Sequence, residues 1–205
     1  MKEMVRIDLY KSNKADYAAK TKPALVEIGP VQYLAISGKG APGGQSFTDC
    51  IGALYGVAFT TKMTRKFEGR QDYVICKLEC RYGDSCVSAP REEWSWSLLI
   101  RTPDFVSTGE VKKAIAALLK RGKSKDAQRV RLETFTEGKC VQMLHVGPYD
   151  KEGETVAVMK AFAEKQGLCF DGLHHEIYLS DPRRVAPEKL KTILRHPVVL
   201  MRGGV

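Results

Sequence analysis

His174, Glu176 and Tyr178 alternate within "GLHHEIYLSDPRR", residues 172–184. Successive side chains on a strand point to opposite faces, so these three share one side of a strand running from Leu173 to Leu179. An imidazole, a carboxylate and a phenol in one row can move a proton or form the polar floor of a binding site. The other face, Leu173, His175, Ile177 and Leu179, reads as packing against helices and leaves Glu176 and Tyr178 aimed at a cleft. One metal ion cannot take His174, His175 and Glu176 together, because neighbouring strand residues point apart. His145 adds a further imidazole without a readable ligand pattern, so neither a metal nor any other cofactor is expected.

Aromatic residues are the second resource. In "EWSWSLLIR" (93–101), Trp94 and Trp96 share a face with Leu98 and Ile100, opposite Ser95 and Ser97. That face fits a buried strand, and it also fits a cleft wall whose far end enters the core; alternation alone leaves both open. Tyr149 follows "HVGP" at the entry to a helix. Tyr55 precedes Gly56 in "ALYGVAF", where a helix glycine invites close approach of another group. The candidate reacting set is Glu176, Tyr149 and Tyr55. The candidate ligand contacts are Trp94, Trp96, Tyr178, His145, Tyr33 and Phe59.

The elements that must position these residues follow a faint internal repeat. "VQYLAISGKG" begins at Val31 and "VQMLHVGPYD" at Val141; each is an alternating strand, then a Gly-containing turn, then a helical segment. The first helix is expected near 46–63 and the second near 152–167, stopped by Gly167. Strands at 72–82 and 93–101 follow the first helix; a short piece at Leu168–Phe170 and the strand at 173–179 follow the second. A helix at 109–121 and a strand at 129–135 lie between the copies, and a short helix is expected at 186–197. The fold class is α+β: a pseudo-twofold pair of β-α-β-β repeats sharing an antiparallel sheet, helices on one face and a ligand cleft on the other. All 205 residues form one domain, with repeats at about 24–102 and 129–197 and an N-terminal extension over 1–22.

Composition removes other classes. The chain is 43% hydrophobic and 28% charged, enough apolar matter for an ordinary core and too much for wholesale disorder. No apolar run approaches the roughly 18 residues of a membrane span, and the charged start does not resemble a signal peptide, so no membrane partner and a cytoplasmic location are expected. None of the six cysteines forms a Cys-x-x-Cys pair; all read as reduced, mostly buried small hydrophobes. The net charge of +9 favours anionic partners, yet the one dense basic run, "LLKRGKSKDAQR" (118–129), reads as a helix end and loop. Without zinc-finger spacing or a helix-turn-helix, nucleic acid is not the expected partner. Nothing in the pattern sets an oligomeric state.

"CIGALYGVAFTTK", "EEWSWSLLIRTPDFV", "VRLETFTEGKCVQMLHVGPYD" and "HHEIYLSDPRR…APEKLKTILRHPV" together resemble the stand-alone GyrI-like small-molecule-binding proteins. The resemblance spans nearly the whole chain from about residue 22 and implies paired β-α-β-β repeats. It also implies a planar aromatic ligand, with Glu176 at the position of the cleft carboxylate that engages flat, often cationic drugs in the effector modules of multidrug-sensing activators. Some similar stand-alone proteins are hydrolases that open the cyclopropane ring of DNA-alkylating cyclopropanoid compounds. By that likeness Glu176 would orient or deprotonate water, Tyr149 or Tyr55 would donate to the developing oxyanion, and Trp94 and Trp96 would hold the planar body. Two alternatives accompany it: non-catalytic multidrug sequestration, and a protein interaction like that of the gyrase-inhibitor namesake. Near "LECRYGDS" the chain departs from its likeness, with Arg81 and Tyr82 where a bulky aromatic pair is usual.

Overall fold

The computed structural model describes residues 6–83 and 89–201. Cys86 and most of the loop before the Trp-x-Trp strand lie outside them. The chain forms two compact units, one of Met1–Asn13 with Val31–Phe135 and one of Lys14–Pro30 with Thr136–Val205. Of the three boundaries, two fall inside long strands, β1 (Ala24–Lys39) and β4 (Arg131–Val146).

In the first unit, β1 leads to α1 (Gln45–Phe67), then β2 (Leu78–Tyr82), β3 (Ser95–Arg101) and α2 (Thr108–Lys120). β3 is the central strand: it pairs antiparallel with β1 from Tyr33↔Arg101 to Lys39↔Ser95, and with β2 from Leu78↔Ile100 to Tyr82↔Trp96. α1 buries Phe47, Cys50, Leu54, Val57 and Thr61, a helical stripe of three- and four-residue steps. Phe47 meets the Trp96 ring edge-on at 5.0 Å, so α1 covers the strand face that carries Trp96, Leu98 and Ile100. The close approach invited by Gly56 is made by Leu118 of α2, whose Cδ1 would lie 3.6 Å from a β-carbon there. α2 begins with a capping box in which Ser107 and Glu110 satisfy each other's backbone N–H groups. The strand expected over 72–82 is shorter at its start; Tyr73 instead makes an isolated parallel bridge to Ile7.

The second unit runs β4, α3 (Glu152–Lys165), β5 (Leu168–Phe170), β6 (His174–Tyr178) and β7 (Lys191–Leu200), the strand–helix–strand–strand order again with the short β5 added. Its last strand is again central. β7 pairs antiparallel with β4 from Cys140↔Pro197 to Val146↔Lys191, with β6 from His175↔Arg195 to Tyr178↔Thr192, and with β5 near its end. The short helix expected at 186–197 is therefore corrected to one 3-10 turn, Pro187–Lys189, followed by a strand. Two waiting edges explain the difference: "TILRHPVVL" can bond β4 on one side and β6 on the other, and that ladder outweighs a weak local helix preference. Val141, Met143, Leu194 and Val198 from the sheet and Met159 and Ala163 from α3 make the core.

The α+β class with antiparallel pairing and the two strand–helix–strand–strand repeats stand as expected. Among the described residues no helix is long and apolar enough to cross a membrane.

Candidate functional site

The second unit gathers the chemistry at the start of α3. His145, near the end of β4, is buried, and both ring nitrogens serve the following turn: Nε2 lies 3.2 Å from the Pro148 carbonyl and Nδ1 2.8 Å from the Thr155 hydroxyl. A carbonyl can only accept, so Nε2 carries the hydrogen and Nδ1 accepts from Thr155. Gly147 turns the chain with φ 144°, and its N–H donates to the Leu190 carbonyl at 3.0 Å. His145 thus braces the turn that presents Tyr149.

Tyr149 stands edge-on to Tyr178, ring centroids 5.8 Å apart. The Tyr178 hydroxyl donates to Glu176 Oε2 at 2.8 Å, and His174 Nε2 lies 3.4 Å from Glu176 Oε1. Glu152, the first residue of α3, brings a second buried carboxyl against that of Glu176. Burial, then the charge and hydrogen bonding of Glu176, push the Glu152 carboxyl up to about 9, while the Thr192 hydroxyl pulls weakly the other way. Glu152 Oε1 meets no hydrogen-bond partner among the described residues. The Tyr149 phenol is pushed up to about 12 by burial and by the negative charges of Glu152, Glu176 and Asp181, so it remains a donor at any ordinary pH.

The face of β6 is the reverse of the one expected. Glu176 is in register with Leu194, and Leu194 with Met143, so all three point to the side that α3 covers. His175 points the other way, fully buried, into a polar cluster: its Nδ1 is 2.9 Å from Glu137 Oε1, and Arg195 Nη1 donates to Glu137 Oε2 at 2.7 Å. Arg195 also donates from Nε to Gln142 at 2.8 Å and from Nη2 to the Asp16 carbonyl at 2.5 Å. Burial would raise the Glu137 carboxyl, but His175 and then Arg195 win and hold it far below the usual carboxylate range. This cluster claims the side that strand periodicity assigned to packing.

Glu152 and Thr192 were not among the expected site residues. An acid in a first helical turn reads as a complement to the helix dipole, and a threonine in a misassigned helix carries no signal. Spacing offered one clue, since Glu152 lies three residues beyond Tyr149.

The remaining expected residues belong to the first unit. Trp96 is 2% exposed, with its N–H donated to the Gly40 carbonyl at 3.0 Å; of the two readings of its face, the buried core is the one found. Tyr33 is likewise 2% exposed and stacks on Phe135 at 4.8 Å, whose ring lies 4.2 Å from the Arg81 guanidinium carbon. Trp94 is partly buried, donates to the Ala89 carbonyl and meets Tyr82 edge-on at 5.9 Å. Tyr55 and Phe59 lie together on α1, ring centroids 6.2 Å apart, with Phe59 exposed.

Antiparallel strand–helix–strand–strand repeats define an α+β protein. Residues 88–199 match the GyrI-like small molecule binding domain. Two solved structures of a hydrolase from Listeria innocua are 38% and 39% identical to the chain, with TM-scores of 0.88 and 0.86, each match covering 95% of this chain and 100% of that one. An uncharacterized conserved protein from Listeria innocua is 40% identical over the same shares, with a TM-score of 0.87. The EcmrR C-terminal domain, 13% identical with a TM-score of 0.61 over 88% of this chain and 98% of that one, shares the fold. A comparison with curated proteins returned no match. The chain belongs to the GyrI-like family.

Proposed function

We propose that this protein binds a planar aromatic small molecule beside Glu176, Tyr178 and Tyr149 and hydrolyses a strained cyclopropane ring in it, a detoxifying reaction. The observation that carries the reading is the Glu152–Glu176 pair, two buried carboxyls set against each other, with that of Glu152 pushed upward by burial and by Glu176. A site that merely held a cation would gain most from two ionised carboxylates, whereas acid–base chemistry needs one of each form. The hydrolase relatives agree with this choice.

For a spirocyclopropyl dienone the step balances within the cluster. Glu176 takes a proton from water, the water oxygen bonds to the ring methylene, and the cyclopropane C–C bond breaks. Its electrons pass through the dienone to the carbonyl oxygen, which becomes a phenolate, and Glu152 delivers its proton there while Tyr149 donates a hydrogen bond. One proton hop from Glu176 back to Glu152 restores the pair. Replacing Glu176 by Gln is expected to lower kcat for such a compound by about 10²–10⁴-fold. Wild-type protein that yields no more ring-opened product than buffer alone would sink the reading.

Sequestration without turnover is the second reading. The edge-on Tyr149–Tyr178 pair beside a carboxylate also suits a flat organic cation, through ring-face attraction. Tight binding of a cationic dye with no reaction of the dienone would favour it.

A further inference from the structure

α1 turns one face to the sheet of the first unit and leaves the opposite face exposed. On it Phe59 is 54% exposed and Phe67 81%, with Met63 half-buried between them. Gly52, Gly56, Phe59, Met63 and Phe67 recur at three- and four-residue steps and so form one stripe along the helix. Tyr55 borders it, its ring centroid 6.2 Å from that of Phe59. In a protein that is 28% charged, the stretch from Cys50 to Thr64 holds a single charged residue, Lys62. That lysine is buried and paired with Asp72 at 2.7 Å, so it adds no charge to the stripe. Aromatic rings, a methionine and no exposed charge are the composition of the centre of a protein–protein interface. Lipid or nucleic-acid phosphates would instead need cations along the row.

Glycine weakens a helix interior, so two glycines on this stripe call for a steric reason. At Gly56 the reason is internal: Leu118 of α2 lies 3.6 Å from where a β-carbon would stand. At Gly52 nothing lies within 4 Å of that position, and the notch stays open. The chain carries a knob for it. In two antiparallel copies of α1, with a twofold axis between Phe59 and Thr60, Gly52 faces Phe67 of the partner subunit. The same register sets Phe59 beside Phe59 of the partner subunit and Met63 against the Leu118 that fills the notch at Gly56. Asp49, exposed near the start of α1, falls toward Arg70 of the partner subunit. Arg70 already meets Glu110 at 2.8 Å and Glu68 at 3.5 Å, yet its side chain is 45% exposed and a guanidinium has five N–H donors. One register thus matches notch to knob and acid to base, each of them twice.

We infer that the exposed face of α1 is a dimer interface, in which two copies of this chain pair antiparallel with Phe67 of each seated over Gly52 of the other. This pairing is independent of the chemistry at Glu176.

The test measures self-association of the full chain by sedimentation velocity across the micromolar range. Wild type is expected to sediment as a dimer. F59E should raise the dimer Kd at least about thirtyfold, and G52W, which fills the notch, should act alike. Both changes lie on the surface, and an unchanged thermal transition shows that each variant is folded. Register is read from single cysteines under a mild oxidant. G52C and F67C proteins should each give no more cross-linked dimer than wild type, because like positions lie about 22 Å apart along the helices. Mixed together, they should give a disulfide-linked dimer. A wild type that stays monomeric overturns the inference, as does a dimer that F59E and G52W leave intact. A mixed pair that does not cross-link overturns the register. Wild-type monomer that binds phosphatidylglycerol vesicles, with binding lost in F59E, would assign the row to a membrane surface instead.

Discussion

Glu152 gives the candidate site its second acid, and in sequence only its spacing from Tyr149 hinted at it. Alternation within "HHEIY" set His174, Glu176 and Tyr178 on one face, and Tyr149 stands in the turn after "HVGP", edge-on to Tyr178. Periodicity divides a strand into two faces but is silent on which face a helix will cover. That choice was decided by Glu137 and Arg195, partners far from His175 in sequence. Glu152→Gln is expected to retain binding while lowering kcat for the dienone about 10²-fold, since an amide cannot surrender an acidic proton. Steady-state kinetics separates the two effects: a rise in KM at constant kcat would show that Glu152 serves binding alone.

At the scale of elements, α1, α2 and α3 were legible from local pattern, with an apolar stripe on α2 and α3 and Gly167 as the stop of α3. β7 was not, because its strand character depends on edges supplied by β4 and β6. Trp96 shows another form of dependence. Gly38 is its register partner on β1, and a β-carbon at Gly38 would lie 2.3 Å from the indole. The ring fills the space the glycine leaves, so Gly38→Ala should destabilise the protein by about 1–3 kcal/mol. A double-mutant cycle with Trp96→Phe, read by denaturant unfolding, should recover part of that loss; strictly additive effects would refute the contact. Glu137 is the corresponding pivot of the second unit, joining His175 to Arg195 with its side chain 1% exposed. Glu137→Gln leaves the arginine without its carboxylate and should cost about 3–5 kcal/mol, measured the same way.

For the whole molecule two of the shifted glutamates, Glu137 and Glu152, act in opposite directions. Glu137 is depressed, so its contribution is complete above the ordinary glutamate range near about 4.3 and is lost as pH falls below that range. Glu152 is raised, so its contribution is complete below about 4.3 and is lost as pH climbs toward about 9. Thermal stability is expected to fall from mildly acid to alkaline pH, and Glu152→Gln should flatten that decline in a calorimetric series. An unchanged slope in the variant would contradict the buried proton on Glu152. The division of the chain has a further consequence, this time for measurement. Both tryptophans, Trp94 and Trp96, belong to the first unit, while all four histidines, His145, His174, His175 and His196, belong to the second. Indole fluorescence and imidazole proton resonances therefore report on different halves of the unlabelled protein. Their unfolding curves coincide only if the halves lose structure in a single cooperative step, so cooperativity can be read without adding a probe.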